Sequence, residues 1–91
     1  MDQNRKNTRQ RVIKGGTIYF NGHRSSVDCM VRNVSDVGAR LKVESTALIP
    51  DQFDLLINQE GQLYPAVVTW RNMLELGIRF TGAPKSALGR Q

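Results

Sequence analysis

One cysteine, one histidine and three prolines in 91 residues exclude several classes of protein at the outset. Cys29 has no partner for an internal disulfide, and His23 has no Cys or His companion at metal-ligand spacing, so neither a redox pair nor a metal site is expected. Apolar runs stop after a few residues, far short of the ~20 that a membrane helix needs. The opening MDQNRKNTRQR is polar and basic with no apolar core behind it, which is not how a secretory signal is built. The expected location is therefore the cytoplasm, with no membrane insertion. Acidic side chains are scarce where they would matter most. Residues 1–32 carry seven basic side chains against Asp2 and Asp28, while residues 33–91 carry six of each sign, so the whole net charge of +5 lies at the front. That asymmetry points to an anionic partner met by the N-terminal segment, or else to a solvated tail.

What is present is period-two alternation from Val12 onward, with no helical period sustained over three turns. GTIYF runs into Asn21-Gly22, a pair that tolerates the positive φ of a tight two-residue hairpin turn. The return over residues 24–32 puts Val27, Cys29 and Val31 on one face and Asp28, Met30 and Arg32 on the other. A third strand carries Leu41 and Val43, a fourth Phe53, Leu55 and Ile57. LYPAVVTWR forms the fifth, and Asn72 opens a turn into a sixth with Leu76, Ile78 and Phe80. Six such strands predict an all-β fold, a six-stranded antiparallel β-barrel, with a two-sheet sandwich as the structural alternative. One small domain is the limit of this length. Its expected parts are a flexible basic N-terminal arm at 1–11, the barrel at 12–82 and a C-terminal tail at 83–91. Pro65 inside the fifth strand calls for an edge or bulge there. Residues 45–52 suit at most one helical turn, and residues 85–88 of the tail suit a short docked helix.

Two stretches stand apart from this scaffold. RKNTR places Arg5 and Arg9 four apart in a segment too polar to be core. NVSDVGA interrupts the alternation with Asn33, Ser35 and Gly38 at spacings of two and three. The simplest account of the second is a turn, with side chains bonded to nearby backbone and Gly38 supplying a conformation that a Cβ resists. Side by side, two guanidiniums and a polar bend describe a clamp for something flat and anionic.

R-x-x-x-R followed by [DN]-x-S-x-x-G, with the later VVTWR and LGIRF, resembles the paired signature and closing strands of the PilZ domain over residues 5–81. The resemblance implies a six-stranded PilZ-like barrel that binds the bacterial second messenger cyclic di-GMP and passes the signal to a partner protein in trans. It implies that Arg5 and Arg9 take phosphates and guanine Hoogsteen edges, whose N7 and O6 match the fork of an arginine. Asn33 accepts from the guanine N1–H and N2–H2 edge, Ser35 donates to a phosphate oxygen, and Gly38 allows close approach. Lys6, Arg11 and Trp70 are candidates for secondary ligand contacts, with an ordinary surface charge as the alternative for Arg11. Relatives with two adjacent arginines at the first motif differ from this chain, where Arg5 lies between Asn4 and Lys6.

Other residues are read more plainly. The size of Trp70 predicts that it fills the barrel or its mouth, with stacking on a guanine as the alternative. His23 is expected at an exposed hairpin tip and Cys29 as a small buried hydrophobe. Asp51, Asp54, Glu60 and Glu75 are spread over several elements and form no catalytic pair, so no enzyme is expected and no cofactor beyond the nucleotide ligand. Two other functions compete. A nucleotide-independent PilZ-like adaptor would have no use for both motifs. A basic nucleic-acid-binding barrel would need aromatics interleaved with cations on one strand, which are lacking.

Overall fold

The computed structural model describes the backbone of residues 10–86 and the side chains from Lys14 onward. Arg5, Lys6 and Arg9 lie outside the described residues, and Arg11 is described by its backbone alone. Among the described residues seven strands follow one another: β1 (Gln10–Phe20), β2 (Ser25–Val34), β3 (Gly38–Lys42), β4 (Gln52–Ile57), β5 (Gln62–Arg71), β6 (Glu75–Phe80) and β7 (Lys85–Ser86). All neighbours pair antiparallel. The order β4-β1-β2-β3-β6-β5 closes because β4 also pairs with β5, so the six expected strands form a barrel. Closure gives each of the six strands a hydrogen-bonded neighbour on both sides and removes the sandwich alternative.

Alternation decides which side chains enter. Ile18, Val31, Leu41, Leu55, Ile57 and Leu76 are fully buried, with Cys29, Phe53, Ala66 and Ile78 packed around them. Each fully buried aliphatic contributes about 1.5–3 kcal/mol relative to exposure, which makes this ring the main source of stability.

The connections depart from expectation in instructive ways. The β1–β2 hairpin spans four residues, 21–24, since Phe20 pairs with Ser25. Asn21 and Gly22 do adopt positive φ (57° and 66°), and His23 joins them at 66°. His23 is exposed, but its Nε2 lies 2.7 Å from Asp54 Oδ2 and its ring packs on Tyr19. Residues 46–49 make a turn closed by Ile49 N–H donating to the Thr46 carbonyl, and no helix forms. Residues 85–86 form a strand against Gln62 and Leu63, so the docked helix expected over 85–88 does not begin there.

Pro65 is no edge residue: it pairs with Asp54 of β4. Its carbonyl accepts from Thr81 N–H on the other side. That side is where β6 has ended at Phe80 and β7 has not begun, so the missing N–H of Pro65 falls in a gap of the ladder.

Candidate functional site

The segment Asn33 to Gly38 runs from the end of β2 through the connection at residues 35–37 to the first residue of β3. Ser35 N–H donates to the Gly38 carbonyl at 2.9 Å and closes the bend. Val37 N–H donates to Ser35 Oγ at 3.3 Å, while the hydroxyl's approach to the Gly38 carbonyl is a long 3.5 Å. Thus Ser35 shapes the turn, and the bond its own hydroxyl donates is long and weak. Gly38 does not have a positive φ, which corrects the conformational reason expected for it. Its reason is steric: a Cβ would drive into the Ile78 carbonyl of β6, so only glycine lets these two strands close.

Three β-bulges lie on one level of the barrel. Register shifts fall between Arg11 and Lys14 in β1, between Val31 and Asn33 in β2, and between Val68 and Trp70 in β5. The consequences are specific. Val31 is core, so strict alternation would turn Asn33 inward as well; the extra residue, Arg32, turns it outward. Val68 packs on the core, and the extra residue Thr69 likewise turns Trp70 outward. The resulting cross-strand line reads Arg11, Asn33, Arg40, Gly77 and Trp70 over β1, β2, β3, β6 and β5. Bulges have re-aimed two of its side chains onto a common outer face.

Between them lies a cleft of about 370 Å³ lined by Asn33, Ser35, Gly38, Arg40, Trp70 and Arg79, among others. Its floor is low because two outward positions have no side chain. Gly77 is covered by the indole of Trp70, and Gly38 is pressed against β6. Trp70 is 45% exposed, so it walls the cleft and does not fill the barrel or its mouth as its size led us to expect. The Asn33 amide makes no hydrogen bond among the described residues, although it is half-buried. Arg79 has no ion-pair partner among the described residues either. Arg40 Nη2 reaches Glu75 Oε2 at 3.1 Å.

Asn33, Ser35, Gly38 and Trp70 therefore meet at one place, and the backbone of Arg11 pairs with Asn33. Arg40 and Arg79 were missed. The signal for Arg40 was available, because alternation from Gly38 puts residue 40 on the same face. Arg79 alternates with core Ile78 and pairs with Gly38 across the strands, a register that the sequence does not print.

The acids are separated as expected. Asp51 pairs with Arg71, Asp54 with His23, Glu60 with Lys14 and Glu75 with Arg40. Among the described residues no group of three His, Cys, Asp or Glu could hold a metal, and no helix is long and apolar enough to cross a membrane. Cys29 is buried, and burial followed by the nearby Asp28 charge pushes its thiol up to about 12. A thiol held neutral this firmly is no nucleophile.

No curated protein matches the chain. The family model of the PilZ domain matches residues 3–90.

Proposed function

The chain belongs to the PilZ domain family, whose known role is to bind cyclic di-GMP, and on that premise we propose that it is a cyclic di-GMP receptor that signals to a partner protein. The observation that carries this reading is the bulge-built line: Asn33 and Trp70 are both turned out over a glycine floor, beside the point where the chain enters β1.

The chemistry follows from what each group has left to offer. The Asn33 amide, which makes no hydrogen bond among the described residues, presents an oxygen to the guanine N1–H and N2–H2 edge. The indole offers a face on which a base stacks, worth about 1–3 kcal/mol. Ser35 Oγ donates to a phosphate oxygen, and Arg79, which has no ion-pair partner among the described residues, supplies a further charge from the lining of the same cleft. Arg5 and Arg9 complete the clamp. Arg9 directly precedes Gln10, which pairs with Val34, and the five residues from Gln10 back to Arg5 span at most roughly 17 Å. A leader of that length permits both guanidiniums to reach the cleft, where guanine N7 and O6 would match their planar fork. Charge-assisted bonds of about 1.5–3 kcal/mol each suffice for micromolar binding, which needs about 8 kcal/mol. Closing the leader over the nucleotide would create the surface that a partner protein reads.

Calorimetric titration at low salt with cyclic di-GMP, and with GMP in parallel, tests this. Saturable heat with the cyclic dinucleotide, weakened tenfold or more by Arg9→Ala, is expected. No heat from a protein whose fold is intact would dismiss the proposal.

A further inference from the structure

Arg40 occupies the middle of the outward line, with Asn33 as its cross-strand partner on one side and Gly77 on the other. It lines the cleft, yet its guanidinium is drawn toward Glu75, with Nη2 to Oε2 at 3.1 Å. Glu75 does not line the cleft. It stands on the neighbouring level, opposite Lys42 and two residues before Gly77 on the same face of β6. The carboxylate therefore holds the central cation of the site from just outside it. Arg40 is 48% exposed, so little packing resists a swing of its long side chain back into the cleft.

We propose that Glu75 is a built-in competitor of the ligand, a resident carboxylate that a phosphate of the bound nucleotide must displace from Arg40. This rests on the reading of the cleft as a nucleotide site and adds a determinant of its affinity. The two anions ask the same cation for the same kind of bond. A carboxylate and a phosphate each accept the paired N–H groups of a guanidinium, and Arg40 cannot serve both fully. The pair is partly exposed, so its strength is modest and the competition is a tuning effect, not a lock. A modest counter-ion also weakens the hold on unrelated anions, because a ligand that gains Asn33 and Trp70 contacts at the same time offsets the loss of the Glu75 pair more readily.

The test is a double-mutant cycle read by calorimetry with cyclic di-GMP on the full chain: wild type, Glu75→Gln, Arg40→Gln and the double variant. Glu75→Gln should bind about two- to fivefold tighter, the range expected for releasing one partly exposed ion pair. Arg40→Gln should bind about tenfold weaker. In the Arg40→Gln background, Glu75→Gln should gain nothing. A gain of the same size in that background would mean that Glu75 acts only by its general field, and would overturn the inference while leaving the nucleotide site standing. Equal affinities of wild type and Glu75→Gln would also overturn it. Absence of binding to all four folded proteins would instead strike down the nucleotide reading, and the inference with it.

Discussion

The indole of Trp70 lies against Gly77 so closely that a Cβ added to Gly77 would strike Nε1, Cε2 and Cδ1 of the ring. The two residues are direct cross-strand partners, brought face to face by the bulge at Thr69. An aromatic covering a strand glycine shields backbone that would otherwise be left bare on the outside of a sheet. It also fixes the plane of the indole. Gly77→Ala should therefore destabilise the fold by about 1–3 kcal/mol, as overpacking does, and swing the ring away from the cleft. Trp70 is the only tryptophan in the chain, so its emission reports the change directly. We expect a red-shifted spectrum and weaker cyclic di-GMP binding; an unchanged spectrum would mean that the ring is not held by this contact.

Arg71 shows a second use of a guanidinium, at the end of the barrel and outside the lining of the cleft. One nitrogen donates to the Thr46 carbonyl at 2.9 Å and the Ile49 carbonyl at 2.8 Å, while the other reaches Asp51 at 2.8 Å. Thr46 in turn donates its hydroxyl to the Asn72 carbonyl at 2.7 Å. The connection between β3 and β4 is thus tied to the turn between β5 and β6. Asp51 is 82% exposed, so its ion pair adds little and the two carbonyl bonds carry the effect. Arg71→Ala should lower stability by about 2–3 kcal/mol in urea unfolding without changing nucleotide affinity. Arg71→Lys should recover only part of it, because an ammonium lacks the planar fork.

Stability should fall on the alkaline side. Burial pushes both the Cys29 thiol and the Tyr64 phenol up to about 12, aided at Tyr64 by its hydrogen bond to Glu60. Unfolded, they ionise nearer their ordinary values of 9.0 and 10.0. From about pH 9 to 12 the unfolded chain therefore binds fewer protons than the folded one, and stability declines as pH rises. Glu60 behaves in the opposite sense. The phenol's hydrogen bond, with help from Lys14, holds its carboxyl below the usual range. Its stabilisation is present above the ordinary value of 4.5 and lost as pH falls through the lowered one. Urea midpoints measured from pH 7 to 11 should drop, and Tyr64→Phe should flatten part of that drop. A slope left untouched by the variant would assign it to other groups.

The barrel was legible in the sequence because alternation alone separates Phe53, Leu55 and Ile57 from their polar neighbours. The site was legible only in part, and the bulges explain which part. A period-two reading carries Val68 and Trp70 to the same side, and it takes the extra residue at Thr69 to part them. The four-residue hairpin escaped for a similar reason: Asn21-Gly22 announces positive φ, but nothing announces that His23 will share it. Pro65 was recognised as an exception, whereas the relief for it, the gap between β6 and β7, depends on how the tail returns. Register is a property of pairs of strands, and a single strand's pattern does not contain it.

The motif itself offers the sharpest separation of fold from function. Gly38 and Asn33 line one cleft, but they stand in opposite relations to the scaffold. Gly38→Ala forces a methyl into the Ile78 carbonyl, and since that neighbour is backbone, β3 and β6 must part. Loss of about 1–3 kcal/mol is expected, whatever the ligand. The Asn33 amide, by contrast, bonds to nothing among the described residues. Removing it breaks no hydrogen bond among the described residues, so Asn33→Ala should unfold within about 0.5 kcal/mol of wild type, as surface changes do. If guanine is the group for which this amide is kept, the same variant should bind cyclic di-GMP at least tenfold more weakly. Thermal melts with and without the nucleotide check both halves together. Gly38→Ala should lower the melting temperature of the free protein, while Asn33→Ala should leave it in place and lose the ligand-induced rise. A ligand-induced rise that survives Asn33→Ala intact would remove Asn33 from the site.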